Sequence, residues 1–375
     1  MNEFFAVINV MCGIVGILHL DGSPASGEIL KKMTDAISHR GPDGEGHWAE
    51  ENVGIGHRRL AIIDLSSAGH QPMISADHRY VLSYNGEVYN FQKLRSELRV
   101  AGYWFKSQTD SEVVLHAFAE WGPKCVHRFN GMFAFAVWDR KENTLHLARD
   151  RYGIKPLYYA QWGDTFLFGS EQKAILEHPE AKKEIDKKAL LEYFTFQNIF
   201  TDRTLLEGVK MFPPATCGQL SLNPGFTALQ LNPYWDYHFE EPKEPKDRRE
   251  YEEELNRLLK QAVSRQLVTD VELGSYLSGG MDSGTLTALA SRELPYIKTF
   301  TCGFDLSSAS GMELGFDERE KAEAMSALYK TEHYEMVLKA GDMERCMPKF
   351  AWHLEEPRVG QSYPNYYVAG LAGKF

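Results

Sequence analysis

The sequence predicts two consecutive domains, an α+β sandwich followed by a parallel α/β unit, and three features carry that expectation. Between Gly13 and about Glu171 short apolar strands alternate with Gly, Asn and Asp turns, so hairpins recur with a few amphipathic helices among them. Around 232–249 the composition changes to NPYWDYHFEEPKEPKDRR, whose prolines and dense charge mark an exposed connection. Beyond it, ELGSYL (272–277), the Gly-rich SGGMDSG and the pattern TLTALASREL (285–294) run strand, turn, helix, and a second apolar strand follows at 296–304.

In the first domain GIVGIL (13–18), GIGHRRLAIID (54–64) and YVLSYNG (80–86) carry β-branched or alternating apolar residues between turn signals, which predicts strands. FAFAVWD (133–139) and TLHLARD (144–150) flank residues 140–143 as a hairpin. Helices are expected at 26–38, 91–101 and 111–121. After the connection, Leu255, Leu258, Leu259, Ala262 and Leu267 fall near helical spacing, with Glu252, Glu253, Arg257 and Lys260 on the opposite face.

At 375 residues the chain fits two domains, each able to bury a core, and 43% hydrophobic with 25% charged residues is ordinary for a globular protein. No apolar run approaches the roughly 20 residues that span a bilayer, so no membrane partner is expected. A formal charge of −11 speaks against nucleic acid. The five cysteines are odd in number and scattered, which argues against a disulfide framework or zinc and for a reduced, cytoplasmic protein. The opening MNEFFAVINV has no basic start, long apolar stretch or small-residue cleavage site, so it does not read as a secretory signal.

A Gly-rich turn between strand and helix leaves main-chain N–H groups free at a helix N-terminus, where phosphate is stabilised. Ser278 to Ser283 is such a turn, but it lacks the G-K-[ST] ending of the Walker loop and carries Asp282 instead. A carboxylate beside phosphates suits Mg²⁺, a hard cation that prefers oxygen. SGGMDS resembles the pyrophosphatase-type loop (PP-loop) of asparagine synthetases and their relatives, which cleave ATP to AMP and pyrophosphate. The resemblance implies ATP contacts from Leu277, Ser278, Gly279, Gly280, Asp282, Ser283 and Cys302, with Asp282 as the metal ligand. By itself Cys302 reads as a core thiol. Asp317 and Glu318 read as a helix cap.

CGIVGI (12–17) resembles the start of class II glutamine amidotransferases, in which the nucleophile is the cysteine at the mature N-terminus and the fold is an αββα sandwich of the Ntn-hydrolase type. A free α-amine has a pKa of roughly 7.7–8.0, so near neutrality it can take the proton of the adjacent thiol. Here Met11 precedes Cys12, and an attached residue turns that amine into an amide. Either translation starts at Met11 and that methionine is removed, or a short propeptide is cleaved; a small residue right after Met11 favours the first. SYNGEVYN (83–90) resembles the segment that supplies the oxyanion hole, implying Asn85 and Gly86 for that role and Glu87 for glutamine binding. Asn-Gly is also the commonest signal for a tight hairpin turn. In GHRRLAIID the resemblance places Arg59, rather than Arg58, on the glutamine α-carboxylate, a task for a bidentate donor. In TDSEVV it places Asp110 on the α-ammonium; an N-cap for the following helix is the other reading. SHRGPDGEG, AGHQPM, FNGMFAFAVWD and RDRYGIKPLYY also resemble family segments and are read mostly as scaffold.

The expected organisation is therefore a glutaminase domain at 12–230, a linker at 231–250 and a partial synthetase domain at 251–375. The implied partners are glutamine and aspartate or a related carboxylate acceptor, with ammonia passed internally to an acyl adenylate, and a homodimer is an allowed assembly. The resemblance also implies a Gly- and acid-rich S-G-x-G-x-D-E segment beyond Phe375 that supplies a second magnesium carboxylate, so the synthetase half is expected to be incomplete here. The alternative is a non-ligase module with residual glutaminase or nucleotide binding only.

Overall fold

The strand β1 (Gly13–His19) is buried on both faces, and the layering around it follows from that. The computed structural model describes residues 11–223, 228–242, 244–245, 247–307, 315–357 and 362–375. It divides into two units, one ending at His238 and one running from Phe239 to Phe375.

In the first unit β1 is followed by α1 (Gly27–Ala36), β2 (Gly44–Glu50), β3 (Val53–Arg59), β4 (Met73–Ile74), β5 (Tyr80–Val88), α2 (Phe91–Val100) and α3 (Asp110–Trp121). Then come β6 (Gly131–Asp139), β7 (Thr144–Arg149), β8 (Tyr158–Trp162), β9 (Thr165–Gly169), α4 (Gln172–Ile175), α5 (Lys187–Phe196), β10 (Val209–Met211), β11 (Thr216–Ser221) and β12 (Gln230–Pro233). They form two six-stranded antiparallel sheets, β10-β8-β9-β1-β3-β2 and β12-β11-β7-β6-β5-β4. Alternation along β1 decides the layers. Ile14 and Leu18 join Ile55, Val81, Ala134, Ala136 and Phe168 between the sheets, while Val15 and Ile17 pack with Leu30, Met33 and Ile175 of α1 and α4. On the far side Leu82, Tyr84 and Phe135 pack against Leu94, Leu98, Val113 and Phe118 of α2 and α3. The order helix, sheet, sheet, helix is thus observed directly.

Two local expectations change. The strand expected at 54–64 stops at Arg59, because the Arg59 guanidinium donates to the Asp64 and Ser66 carbonyls and the chain must curl back to present them. Asn85-Gly86 does not turn; the pair lies inside β5, opposite Ala134 and Phe133 of β6. Glycine is needed at 86 for close approach, since a Cβ there would meet the Met132 carbonyl oxygen at 2.4 Å. Gln230–Pro233 pairs with β11 and the next helix starts at Arg248, so regular structure reaches into the linker expected at 231–250 from both sides.

The second unit comprises α6 (Arg248–Gln266), β13 (Gly274–Tyr276), α7 (Met281–Glu293), β14 (Lys298–Phe304), α8 (Arg319–Tyr329), β15 (Glu332–Leu338), α9 (Asp342–Leu354) and α10 (Ser362–Ala372). Its three strands are parallel in the order β13-β14-β15. The helix α7 begins at Met281 rather than at 285, which places Asp282 in its first turn. Among the described residues no helix is long and apolar enough to cross a membrane.

Gly16 faces the inter-sheet layer, where a Cβ would lie 2.1 Å from a Phe168 ring carbon. Phe168 is buried and cannot swing away into solvent. Gly16→Ala is expected to lower stability by about 1–3 kcal/mol, visible as a lower melting temperature.

Candidate active site

Cys12 stands at the entrance to β1, and its main chain is fastened from several sides. Arg40, fully buried just after α1, donates from Nε to the Cys12 carbonyl at 3.1 Å and from Nη1 to Glu171 Oε1 at 2.8 Å. His39 and Lys173 complete the cluster on Glu171, at 3.0 and 2.5 Å. Ser170 exchanges hydrogen bonds with Ile14, its hydroxyl accepting from the Ile14 N–H at 3.0 Å and its own N–H reaching the Ile14 carbonyl at 2.9 Å. The Cys12 sulfur accepts from the Leu60 N–H at 3.3 Å. Burial pushes the thiol pKa up, and the Leu60 hydrogen bond opposes it.

Cys12 opens into a cavity of about 160 Å³ that Arg59, Asn85, Gly86, Glu87 and Asp110 also line. All six residues that the sequence singled out in the first domain therefore meet at one place. Arg58 does not; it points to the outer face, ion-paired with Asp35 and Glu45. Asn85 is 1% exposed, and among the described residues neither amide atom has a hydrogen-bond partner. Its neighbour Tyr84 is firmly held. The Tyr84 N–H donates to Gln71 Oε1 at 2.7 Å, and the Tyr84 carbonyl accepts from Gln71 Nε2 at 3.2 Å.

Asp110 is the first residue of α3 but not its cap, because Thr109 takes that position and accepts from the Glu112 N–H at 3.2 Å. The Asp110 carboxylate turns inward and accepts from the Tyr84 hydroxyl at 2.6 Å and the Val88 N–H at 2.9 Å. Burial raises the pKa of both Asp110 and Glu87; those two hydrogen bonds counteract it at Asp110, and the Lys155 charge does so at Glu87. Arg59 is buried at the cavity edge, with Gly69 so close that a Cβ there would come within 2.2 Å of Nη2. Sequence reasoning missed Gln71, Tyr84 and Lys155, which line the same cavity. All three lie in segments read as scaffold or as flanking strand, and a lysine in a chain pattern ordinarily signals exposure.

Residues 11–235, more than half of the chain, match the family model for a glutamine amidotransferase domain, and residues 254–375 match the model for asparagine synthase. Two glutamine-hydrolysing asparagine synthetases of Bacillus subtilis strain 168, numbered 1 and 3, are 34% and 36% identical over 97% and 95% of this chain. A Methanocaldococcus jannaschii protein carrying the same family name is 33% identical over 97% of this chain and 72% of its own length. The chain belongs to the glutamine-hydrolysing asparagine synthetase family. It spans 56% and 58% of the length of the two Bacillus relatives.

In this family member residues 277–280 join β13 to α7, whose first turn holds 281–283. Leu277 is buried, and its N–H donates to the Phe300 carbonyl at 3.0 Å while its own carbonyl accepts from the Thr301 hydroxyl. Gly279 adopts φ +72°, a left-handed conformation that favours glycine. The Ser278 and Ser283 hydroxyls lie 2.9 Å apart, and Ser283 Oγ also accepts from the Ser278 N–H at 3.2 Å. Asp282 is exposed in the first turn of α7. Cys302 lies on β14, where burial pushes its thiol up to about 11 and Sγ faces the Pro364 carbonyl at 3.8 Å. At the start of α8 it is Asp317, rather than Glu318, that accepts from the Arg319 N–H, at 3.1 Å. Among the described residues no group of three His, Cys, Asp or Glu side chains is placed to hold a metal.

Burial works against the Glu171 carboxylate, but the His39 hydrogen bond and the Arg40 and Lys173 charges outweigh it and hold its pKa far below the ordinary value of 4.5. A depressed folded-state pKa contributes stability that is complete above the unfolded value and lost as pH falls towards the folded one. Glu171→Gln is expected to destabilise by about 3–5 kcal/mol at pH 7, because it strands the buried Arg40 charge. Chemical denaturation across pH should show that difference constant above pH 4.5 and narrowing below it.

Proposed function

We propose that the first unit hydrolyses glutamine at Cys12 and that the second binds ATP at 277–283 to activate a carboxylate acceptor, aspartate or a close relative, for amide formation. The observation that carries the first half is Asn85. A buried side-chain amide without a partner among the described residues, in the same cavity as a cysteine sulfur, is a donor free for an incoming acceptor. The oxyanion of a tetrahedral intermediate at Cys12 is such an acceptor, and Asn85 Nδ2 with the Gly86 N–H would receive it.

Once Met11 is removed, the α-amine of Cys12 takes the thiol proton and the sulfur attacks the carboxamide carbon of glutamine. The C–S bond forms, the C–N bond breaks, and the amine passes the proton to the departing nitrogen, giving ammonia and a thioester that water hydrolyses to glutamate. Arg59 would bind the α-carboxylate. Asp110 would bind the α-ammonium, with Glu87 beside it. Ammonia is consumed in the second half-reaction, where it displaces AMP from the acyl adenylate.

In the second unit the start of α7 and the loop held open by Gly279 present main-chain N–H groups suited to phosphate. Leu277, Ser278, Gly279, Gly280 and Ser283 of that segment, with Cys302 on β14, would be the ATP contacts. Asp282 fits Mg²⁺, since a single hard oxygen donor at the phosphate end is what a magnesium nucleotide requires of a protein. When bound, the ion neutralises phosphate charge. A match to both family models favours this two-part reading over a module with residual activity only.

Ammonia release from glutamine, measured on protein whose first residue is Cys12, is expected to vanish in Cys12→Ala. In Asn85→Ala, kcat should fall by about 10²–10³-fold. Undiminished release in Cys12→Ala would overturn the assignment. Asp282→Ala is expected to weaken Mg·ATP binding at least tenfold by calorimetry while leaving glutamine hydrolysis unchanged.

A further inference from the structure

Lys155 is 5% exposed and lines the Cys12 cavity. Its main chain is clamped on both sides. The buried Asp150 carboxylate accepts from the N–H groups of Phe133, Tyr152, Ile154 and Lys155 at 3.0–3.2 Å, and Arg149 donates to the Lys155 carbonyl at 2.8 Å. The loop therefore aims the side chain rather than letting it escape to solvent. Among the described residues Lys155 forms no ion pair; its ammonium donates only to the Met11 thioether, at 2.9 Å, and sulfur there is a weak acceptor. Removal of Met11, which the proposed mechanism requires, takes even that acceptor away.

A buried ammonium left without a partner is unfavourable unless a negative charge arrives. The charged groups facing it and the sulfur are Arg40 after α1, Arg59 at the end of β3, Glu87 on β5, Asp110 on α3 and Asp150. Asp110 disfavours a thiolate at Cys12, and Lys155 and Arg40 favour one. Arg40 is already committed to Glu171 and the Cys12 carbonyl, and Arg59 is assigned above to the glutamine α-carboxylate, which leaves the Lys155 charge for the sulfur.

We propose that Lys155 is a positioning residue of the glutaminase site, its charge stabilising the thiolate that forms when the α-amine takes the Cys12 proton. This rests on the glutaminase reading above, so the test uses a readout that does not depend on turnover. In the chain processed to begin at Cys12 and otherwise entire, alkylation of Cys12 by iodoacetamide is followed from pH 6 to 10, with Cys12→Ala correcting for the other four thiols. Lys155→Met should raise the midpoint of the alkylation profile by about one pH unit, and Lys155→Arg should leave it within a few tenths. Glutamine turnover (kcat/KM) at pH 7 should fall about tenfold in Lys155→Met alone. If that variant melts early, Lys155→Gln takes its place in the same measurement. An unmoved midpoint in a folded neutral variant overturns the proposal, as does an arginine variant that behaves like methionine. A higher KM with the midpoint unmoved also overturns it, making Lys155 a ligand for glutamine instead. Failure of the glutaminase reading would show separately, as absent ammonia release from otherwise unaltered protein beginning at Cys12.

Discussion

One buried guanidinium, that of Arg40, donates both to the carbonyl of the residue carrying the reactive sulfur and to the Glu171 carboxylate in the body of the first unit. Cys12 lies just outside the sheet register, whose first pair is Gly13 with Arg58, so its main chain relies on this side-chain contact. A charge-assisted hydrogen bond in a low-dielectric setting is strong and directional, and it holds only while Glu171 stays ionised. His39 and Lys173 secure that ionisation. The position of the sulfur thus depends on an ion cluster that never touches the cavity.

Around the cavity the polar groups fall into two kinds. Gln71 and Asp150 are tied by hydrogen bonds to main-chain groups, and Asp110 is anchored through one carboxylate oxygen by the Tyr84 hydroxyl and the Val88 N–H, so that strands and loops are fixed in place. Among the described residues the buried Asn85 amide has no partner and the buried Lys155 ammonium only a weak one. Leaving buried donors unpaired costs a folded protein about 1–3 kcal/mol each, more when charged. Their unused capacity lies where negative charge develops in attack on a carboxamide, and the anchored groups keep the framework rigid enough to hold them there.

The loop of the second unit shows the same division of labour on a smaller scale. Its two serine hydroxyls satisfy the turn internally, Gly279 takes the left-handed conformation, and the exposed Asp282 is left facing outward at a helix N-terminus. The backbone is set before any nucleotide arrives, so less ordering is left for binding to impose.

Period-two and helical apolar patterns, with turn residues between them, were enough to reveal the two-domain organisation, the antiparallel character of the first unit and the parallel character of the second. Local chemistry is what such patterns encode. The segments around Cys12, Arg59, Asn85 and Asp110 were also legible, because they resemble those of class II glutamine amidotransferases. Folding decided the rest. That Asn85-Gly86 lies in mid-strand instead of turning depends on the β6 backbone pressing against Gly86, a contact made across 47 residues from Gly86 to Phe133. That Thr109 and not Asp110 caps α3 depends on Tyr84 and Val88 claiming the carboxylate from another strand. Lys155 could not be recognised from its segment, because whether a lysine is buried is settled by which distant elements close over it, and no local pattern records that.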